Sequence, residues 1–359
     1  MNLVVPTTFE EDFLAALVNA PVRWLYGSLP EEPGARAARW LPSADAGQIE
    51  DHITQARAQG AGFVYTLNGA CSGNREFNAE GQRWLADRLG WLVEAGASGV
   101  VATNPYVIEM VKQRYPELSV CVSTLANVDS VDKALFYRDL GVDAIYLPEY
   151  INRDLRLLRA MRKQVDCELV LTANLSCLLQ CPLRDYHASF ISHASESLEH
   201  GCYLDFSLAR CTQMKAADPV EVIKAPWIRP EDLSTYEDLG YSHFKLAGRE
   251  KGGEWVVRAV AAYAAGRYDG DLNDLVIGLD ALEPFGRLPL RVDNSRLDGF
   301  LDFFRKKDCH LGCAGCTHCP EWAERAIIAE EELPEYQERI GRTLRRFVTG
   351  SFRAPVKLP

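Results

Sequence analysis

Short runs of apolar and β-branched residues alternate with longer amphipathic stretches over the first two thirds of the chain. The runs predict strands at Leu3–Val5, Arg23–Tyr26, Gly62–Thr66, Gly99–Ala102, Ser119–Ser123, Ala144–Leu147, Glu168–Leu171 and His243–Leu246. Runs of this length bounded by turn formers suit strands buried on both faces. Between them, apolar residues recur at i, i+3 and i+4 over Glu10–Val18, Ala46–Ala58, Gly81–Ala95, Pro105–Arg114, Val131–Leu140 and Arg153–Gln164, which predicts helices. Gly60, Gly96, Gly99, Gly141 and Pro105 fall where strands and helices must join. Eight strands with intervening helices fit an α/β chain folded as a (β/α)8 TIM-like barrel over residues 1–270, with an open doubly wound sheet as the alternative. The stretch from Cys177 to about Pro226 then forms a long insert before the last strand.

Past residue 250 the pattern changes, and residues 271–359 are expected to form a cysteine-rich extension. A helix is expected over Trp255–Tyr263, a short unit over Leu272–Leu282 and a turn-rich connector over Gly286–Leu297. Cysteine-rich Asp308–Pro320 then precedes a polar terminal helix, Glu321–Val348.

Each predicted strand is followed at once by polar residues, among them Tyr65 to Gly69, Thr103-Asn104, Ser123-Thr124, Pro148-Glu149 and Thr172 to Asn174. In a barrel these open onto the carboxyl end, the face where barrel enzymes build their sites. Taken one at a time they also suit helix caps and turns, which accounts for Thr103 and Thr124.

Composition narrows the class. With 359 residues, 47% hydrophobic and 25% charged, the chain can bury a full core. The start MNLVVPTTFEEDFLAAL lacks a basic segment followed by a sustained apolar one, and no run approaches ~18 apolar residues, so a cytoplasmic protein without a membrane span is expected. A formal charge of -11 opposes phosphate binding through the general field and disfavours nucleic acid as a partner.

Cysteine carries the chemistry. Eight of the 11 cysteines fall into two groups, Cys177-x3-Cys181 with Cys202 and Cys211, and Cys309-x3-Cys313-x2-Cys316-x2-Cys319. In a reducing compartment such spacing favours metal over disulfides, because short loops let neighbouring thiolates converge. Cys211, in a polar context, is the better third ligand of the first group and Cys202 the fourth, with His187, His193 and His200 as other candidates and zinc the simplest occupant by spacing. Cys309, Cys313 and Cys316 match the spacing of radical S-adenosylmethionine enzymes, but too little chain follows them to build a barrel, and Cys319 closes the set. A closed iron–sulfur cluster or a structural zinc fits those four.

Several motifs then carry a resemblance: Val122 to Val128, Ala144 to Glu149, the loop Asn174-x2-Cys177-x3-Cys181-Pro182-x-Arg184-x2-His187, Trp227 to Leu233, and Phe244 to Arg249. Over residues 1–270 the chain resembles peptidase family U32, named for collagenase-like activity, and most closely its iron–sulfur branch with UbiU and UbiV of oxygen-independent ubiquinone hydroxylation and the hydroxylases of tRNA and ribosomal RNA bases. The resemblance implies a barrel carrying a [4Fe-4S] cluster, prephenate as oxygen donor in several members, and pairing with a homologous chain, as UbiU pairs with UbiV.

Basic groups after the cysteine loop suggest a small anionic substrate. Arg184, Arg229, Lys245 and Arg249, with Asn174, are the candidate substrate contacts, and Glu149 and His187 the candidate catalytic groups. For each arginine or lysine singly, a salt bridge to Glu231, Asp232 or Glu250 is the competing role. The leading function is an iron–sulfur hydroxylase or oxidoreductase acting on a small molecule. A collagenase-like peptidase would need a nucleophile and base that the sequence does not single out, and a non-catalytic cluster-binding subunit of a heterodimer is the third possibility.

Overall fold

The computed structural model describes residues 1–196, 205–278, 285–307, 309 and 312–351. Eight parallel strands close into a barrel in chain order: β1 (Asn2–Pro6), β2 (Val22–Gly27), β3 (Gly62–Leu67), β4 (Gly99–Ala102), β5 (Ser119–Val122), β6 (Ala144–Leu147), β7 (Glu168–Thr172) and β8 (His243–Lys245). β8 pairs with β1 through His243 opposite Asn2 and Lys245 opposite Val4, which excludes the open sheet. Every predicted strand is present, with bounds shifted by one residue or less at each end.

The strands are buried on both sides. One set of side chains, including Val4, Tyr26, Val64, Val101, Cys121, Tyr146 and Val170, packs inside the barrel, while its alternates, such as Leu25, Phe63, Val100 and Leu171, meet the outer helices. That is why the strands read as continuous apolar runs rather than as alternation.

The outer helices are α1 (Phe13–Ala16), α2 (Ala46–Ala58), α3 (Ala79–Glu94), α4 (Pro105–Arg114), α5 (Val131–Asp139) and α6 (Leu155–Gln164). α1 is a single turn, shorter than the expected Glu10–Val18. Caps fix several starts: the Asp45 carboxylate accepts from Gln48 N–H in a reciprocal capping box, and Asn104 accepts from Tyr106 N–H just before Pro105. The insert between β7 and β8 contributes α7 (Arg184–Ser195), α8 (Phe206–Ala217), α9 (Val220–Lys224) and α10 (Leu233–Glu237), and α11 (Gly253–Ala265) completes the ring.

Beyond it come β9 (Leu290–Val292), α12 (His318–Ala326), β10 (Ile327–Ala329) and α13 (Leu333–Val348). The expected single helix Glu321–Val348 is therefore interrupted. Ile327 and Ile328 pair antiparallel with Val292 and Arg291, and Pro334 is accommodated only because α13 restarts there and places it in a first turn. Apolar residues from Leu272 to Leu344 join the same core cluster as the barrel helices, so the extension is packed into the barrel's outer layer.

Candidate functional site

The carboxyl end of β6 places Glu149 at the barrel mouth. Pro148 turns the chain and Glu149 opens a short 3-10 turn, Glu149–Ile151, with its carboxylate only 2% exposed. Both oxygens meet Arg184, the first residue of α7: Nη1 donates to Oε1, and Nη2 to Oε2 at 3.3 Å. The Arg184 Nε donates to Asn127 Oδ1 at 2.9 Å, and its guanidinium lies 4.5 Å from the Tyr150 ring centre. Burial alone would raise the Glu149 carboxyl, but Arg184, assisted by a hydrogen bond from Cys177, holds it below its ordinary value.

Cys177 is thus tied to this ion pair, and Cys211 on α8 acts on it electrostatically. Cys211 Sγ donates to Leu208 O at 3.2 Å and interacts with Cys181. One helical turn beyond Cys211 sits Lys215, 1% exposed, whose ammonium donates to Gly278 O at 3.1 Å and acts electrostatically on both Cys177 and Cys211. Burial and then Glu149 push the Cys177 thiol up to about 12, with Lys215 and Arg184 pulling the other way. Lys215 escaped the sequence reasoning, although its i+4 spacing from Cys211 puts both on one face of a helix. Cys202 and His200 lie outside the described residues.

The thiols of this group are not drawn to a single point. Sulfur at ~2.3 Å from a tetrahedral zinc demands thiolates converged on a point, and among the described residues no three His, Cys, Asp or Glu side chains converge so. A four-iron cluster is bridged by its own sulfides and accepts thiolates spread around a larger body. Cys177, Cys181 and Cys211 offer three such thiols beside a buried lysine.

Opposite lies a group of cations. Lys245, the last residue of β8, holds its ammonium 4.5 Å from the Tyr26 ring centre, and the Arg249 guanidinium lies 5.8 Å from the same ring. Arg249 Nη1 donates to the Thr66 hydroxyl at 2.7 Å and the Ser28 hydroxyl at 3.3 Å. Neither cation is paired with a carboxylate among the described residues, whereas neighbouring Arg36 is paired with Glu250 at 3.2 Å. Burial, then Arg249 and Arg36, bring Lys245 down to about 7. Arg36 and Tyr26 carried no motif in the sequence. The polar strand ends expected at the mouth are buried there, with Asn68 donating to Ser123 and Thr103 to the Asn68 carbonyl.

Three of the sequence-derived contacts have other work. Arg229 donates Nε and Nη2 to Asp232, both at 2.9 Å, and Nη1 to Asn294 O at 2.9 Å and Asp298 at 3.1 Å, so its fork is filled by the salt bridge that was the competing role. Asn174 is fully buried, donating to the Ala247 and Leu275 carbonyls and accepting from Ala247 N–H at 2.7 Å; it clips the β7 and β8 ends together. His187 bonds Asp205 at 2.7 Å, the residue whose other oxygen caps α8. Sequence pointed to Asn174 and His187 by their place in the cysteine loop and to Arg229 by its position before a helix start, and the hydrogen bonds of all three tie neighbouring segments together.

Comparison with known proteins agrees with this architecture. The family model described as "Peptidase family U32" matches residues 16–269. An uncharacterized protease of Methanocaldococcus jannaschii is 32% identical over 304 residues, 84% of this chain and 88% of that protein. The tRNA hydroxylation protein P1 of Bacillus subtilis is 24% identical over 249 residues, 66% of this chain and 57% of its own length. The solved U32 peptidase Mk0906 has the same fold, with a TM-score of 0.52 and 20% identity over 69% of this chain and 92% of that one. The chain belongs to peptidase family U32.

Proposed function

We propose that the barrel mouth is an iron–sulfur site for oxygen-independent hydroxylation or a related oxidoreduction of a small anionic substrate. The observation that carries this is the juxtaposition, at one strand-end face, of a three-cysteine group tied to Glu149–Arg184 and a pair of cations, Lys245 and Arg249, with no carboxylate paired to them among the described residues. Similarity to a protein of tRNA hydroxylation favours this over peptide hydrolysis.

Cys177, Cys181 and Cys211 would hold the cluster, with the fourth ligand from the 197–204 segment, where Cys202 lies, or from substrate. Bound there, the cluster supplies one-electron chemistry or a substrate-binding iron. The chain's own residues do the rest. Arg184 keeps Glu149 ionised, and the Glu149 carboxylate accepts a hydrogen bond from the Cys177 thiol and so orients that sulfur; on ligation the thiol proton would leave to solvent. Lys245 and Arg249 attract and orient a carboxylate, and the Tyr26 ring separates them from the apolar barrel interior. Carboxylates of the prephenate type suit these two cations, and a homologous chain is the proposed partner.

The test is anaerobic purification with iron, sulfide and zinc counted per chain, comparing wild type with C177A/C181A. The double variant is expected to lose one cluster's iron and remain folded, and unchanged iron would overturn the assignment. Cleavage of peptides by the metal-free chain would favour the peptidase instead.

A further inference from the structure

The second cysteine group meets an unexplained charge. Cys309, Cys313, Cys316 and Cys319 all line one pocket, whose wall also includes Arg153 and Leu179. Arg153 follows Glu149 by four residues on the loop leaving β6 and is 3% exposed. Its planar group is packed 4.6 Å from the ring centres of both Trp227 and Phe300 and 5.0 Å from that of Phe304. Only Nη2 is hydrogen-bonded, to Ala225 O at 2.5 Å and Trp227 O at 3.5 Å, while buried Nε and Nη1 have no partner. A buried guanidinium among aromatic rings without an anion is costly, and no carboxylate is paired with it among the described residues. Tyr236, Cys319, Asp232 and Cys309 act on it electrostatically, and of these the two cysteines line the pocket with it.

We infer that Cys309, Cys313, Cys316 and Cys319 bind a [4Fe-4S] cluster in this cavity, and that Arg153 is its buried counter-charge. Four thiolates outweigh the charge of such a core and leave a net anion, which supplies what Arg153 lacks. All four cysteines line the same pocket, a thiolate set that can hold an iron–sulfur cluster, and metal content separates that occupant from zinc. Leu179 sits between Cys177 and Cys181, so the cavity borders the loop that carries the barrel cysteines. A positive charge beside a cluster stabilises its reduced form, so Arg153 raises the reduction potential.

The site stands apart from the proposed barrel cluster, and the measurements separate the two. The full-length chain is purified anaerobically as wild type, C177A/C181A and C313S/C316S, with iron, sulfide and zinc counted in each. C313S/C316S is expected to lose about four irons whatever C177A/C181A does. Iron equal to wild type in C313S/C316S overturns the site, and loss of zinc in place of iron overturns its identity as a cluster. In the C177A/C181A background, Arg153→Met is expected to keep the remaining iron but to shift the spectroscopically followed reduction to a more negative potential. Arg153→Lys, which keeps the charge, is expected to restore most of that shift and stands in if the methionine variant does not fold. An unchanged potential in Arg153→Met, or a shift as large in Arg153→Lys as in Arg153→Met, overturns the counter-charge role.

Discussion

Lys245 and Arg229 show how burial decides what a basic residue does. Lys245 has an aromatic face and other cations around it and titrates near 7, whereas the Arg229 guanidinium is saturated by Asp232, Asn294 and Asp298. The ammonium form of Lys245 attracts an anion, and a bound anion raises its affinity for the proton. Carboxylate binding, followed by calorimetry with prephenate on the anaerobic protein, is therefore expected to be tightest below about 7 and to weaken as pH rises through it. Lys245→Met should weaken binding roughly tenfold or more at pH 6 and flatten that pH dependence, since a charged hydrogen bond is worth ~1.5–3 kcal/mol. Arg229→Ala should instead leave ligand affinity alone and cost on the order of 3 kcal/mol of stability in denaturant unfolding, because it strands Asp232 in a buried pocket. Equal stability of Arg229→Ala and wild type would show that its salt bridges contribute nothing.

At the scale of elements, the strand ends aim the site and two kinds of contact hold them. β4 and β5 approach closely at their start: a Cβ on Gly99 would lie 2.2 Å from Ser119 O. Gly99→Ala must push the strands apart and is expected to cost roughly 1–3 kcal/mol, read as a lowered midpoint with an unchanged denaturant slope. At the other end, α8 carries Cys211 and Lys215 and is itself braced by α13, where Gln337 donates to Ala216 O at 2.5 Å and Phe347 stacks with Phe206 at 6.5 Å. Leu344→Ala, at a position 4% exposed in the core of α13, should cost about 2–5 kcal/mol. It should also loosen iron bound at the barrel mouth, since α8 positions one of its ligands. Iron retention indistinguishable from wild type in a measurably destabilised Leu344→Ala would separate the brace from the site.

For the whole molecule, the extension and the barrel share one core, which changes how the two cysteine groups can be told apart. Cutting the chain near residue 300 would expose the surface of α8 and remove β10 from β9, so such a truncation is expected to aggregate rather than report on metal. Substitution of cysteines in the full chain is the workable route. No helix among the described residues is long and apolar enough to cross a membrane.

The strands of this protein were legible because a parallel barrel buries both faces of every strand, which leaves unbroken apolar runs such as Gly99–Ala102 and Ala144–Leu147. Helix starts were legible where a cap and a proline coincide, as at Asn104-Pro105. The cysteine groups and Glu149 could be named because closely spaced thiols, and an acid directly after a strand, are local signals. Local signals could not decide which charges remain free. Arg184, Arg229, Lys245 and Arg249 look alike as a row of basic residues after strands, yet one pairs with Glu149, one is saturated by Asp232, and two lie beside the Tyr26 ring with no carboxylate paired to them among the described residues. Nor could sequence bring Arg36, Lys215 or Arg153 to their sites, since each is placed by partners tens of residues away. Desolvation and pairing depend on every neighbour in space, so only the tertiary structure assigns them.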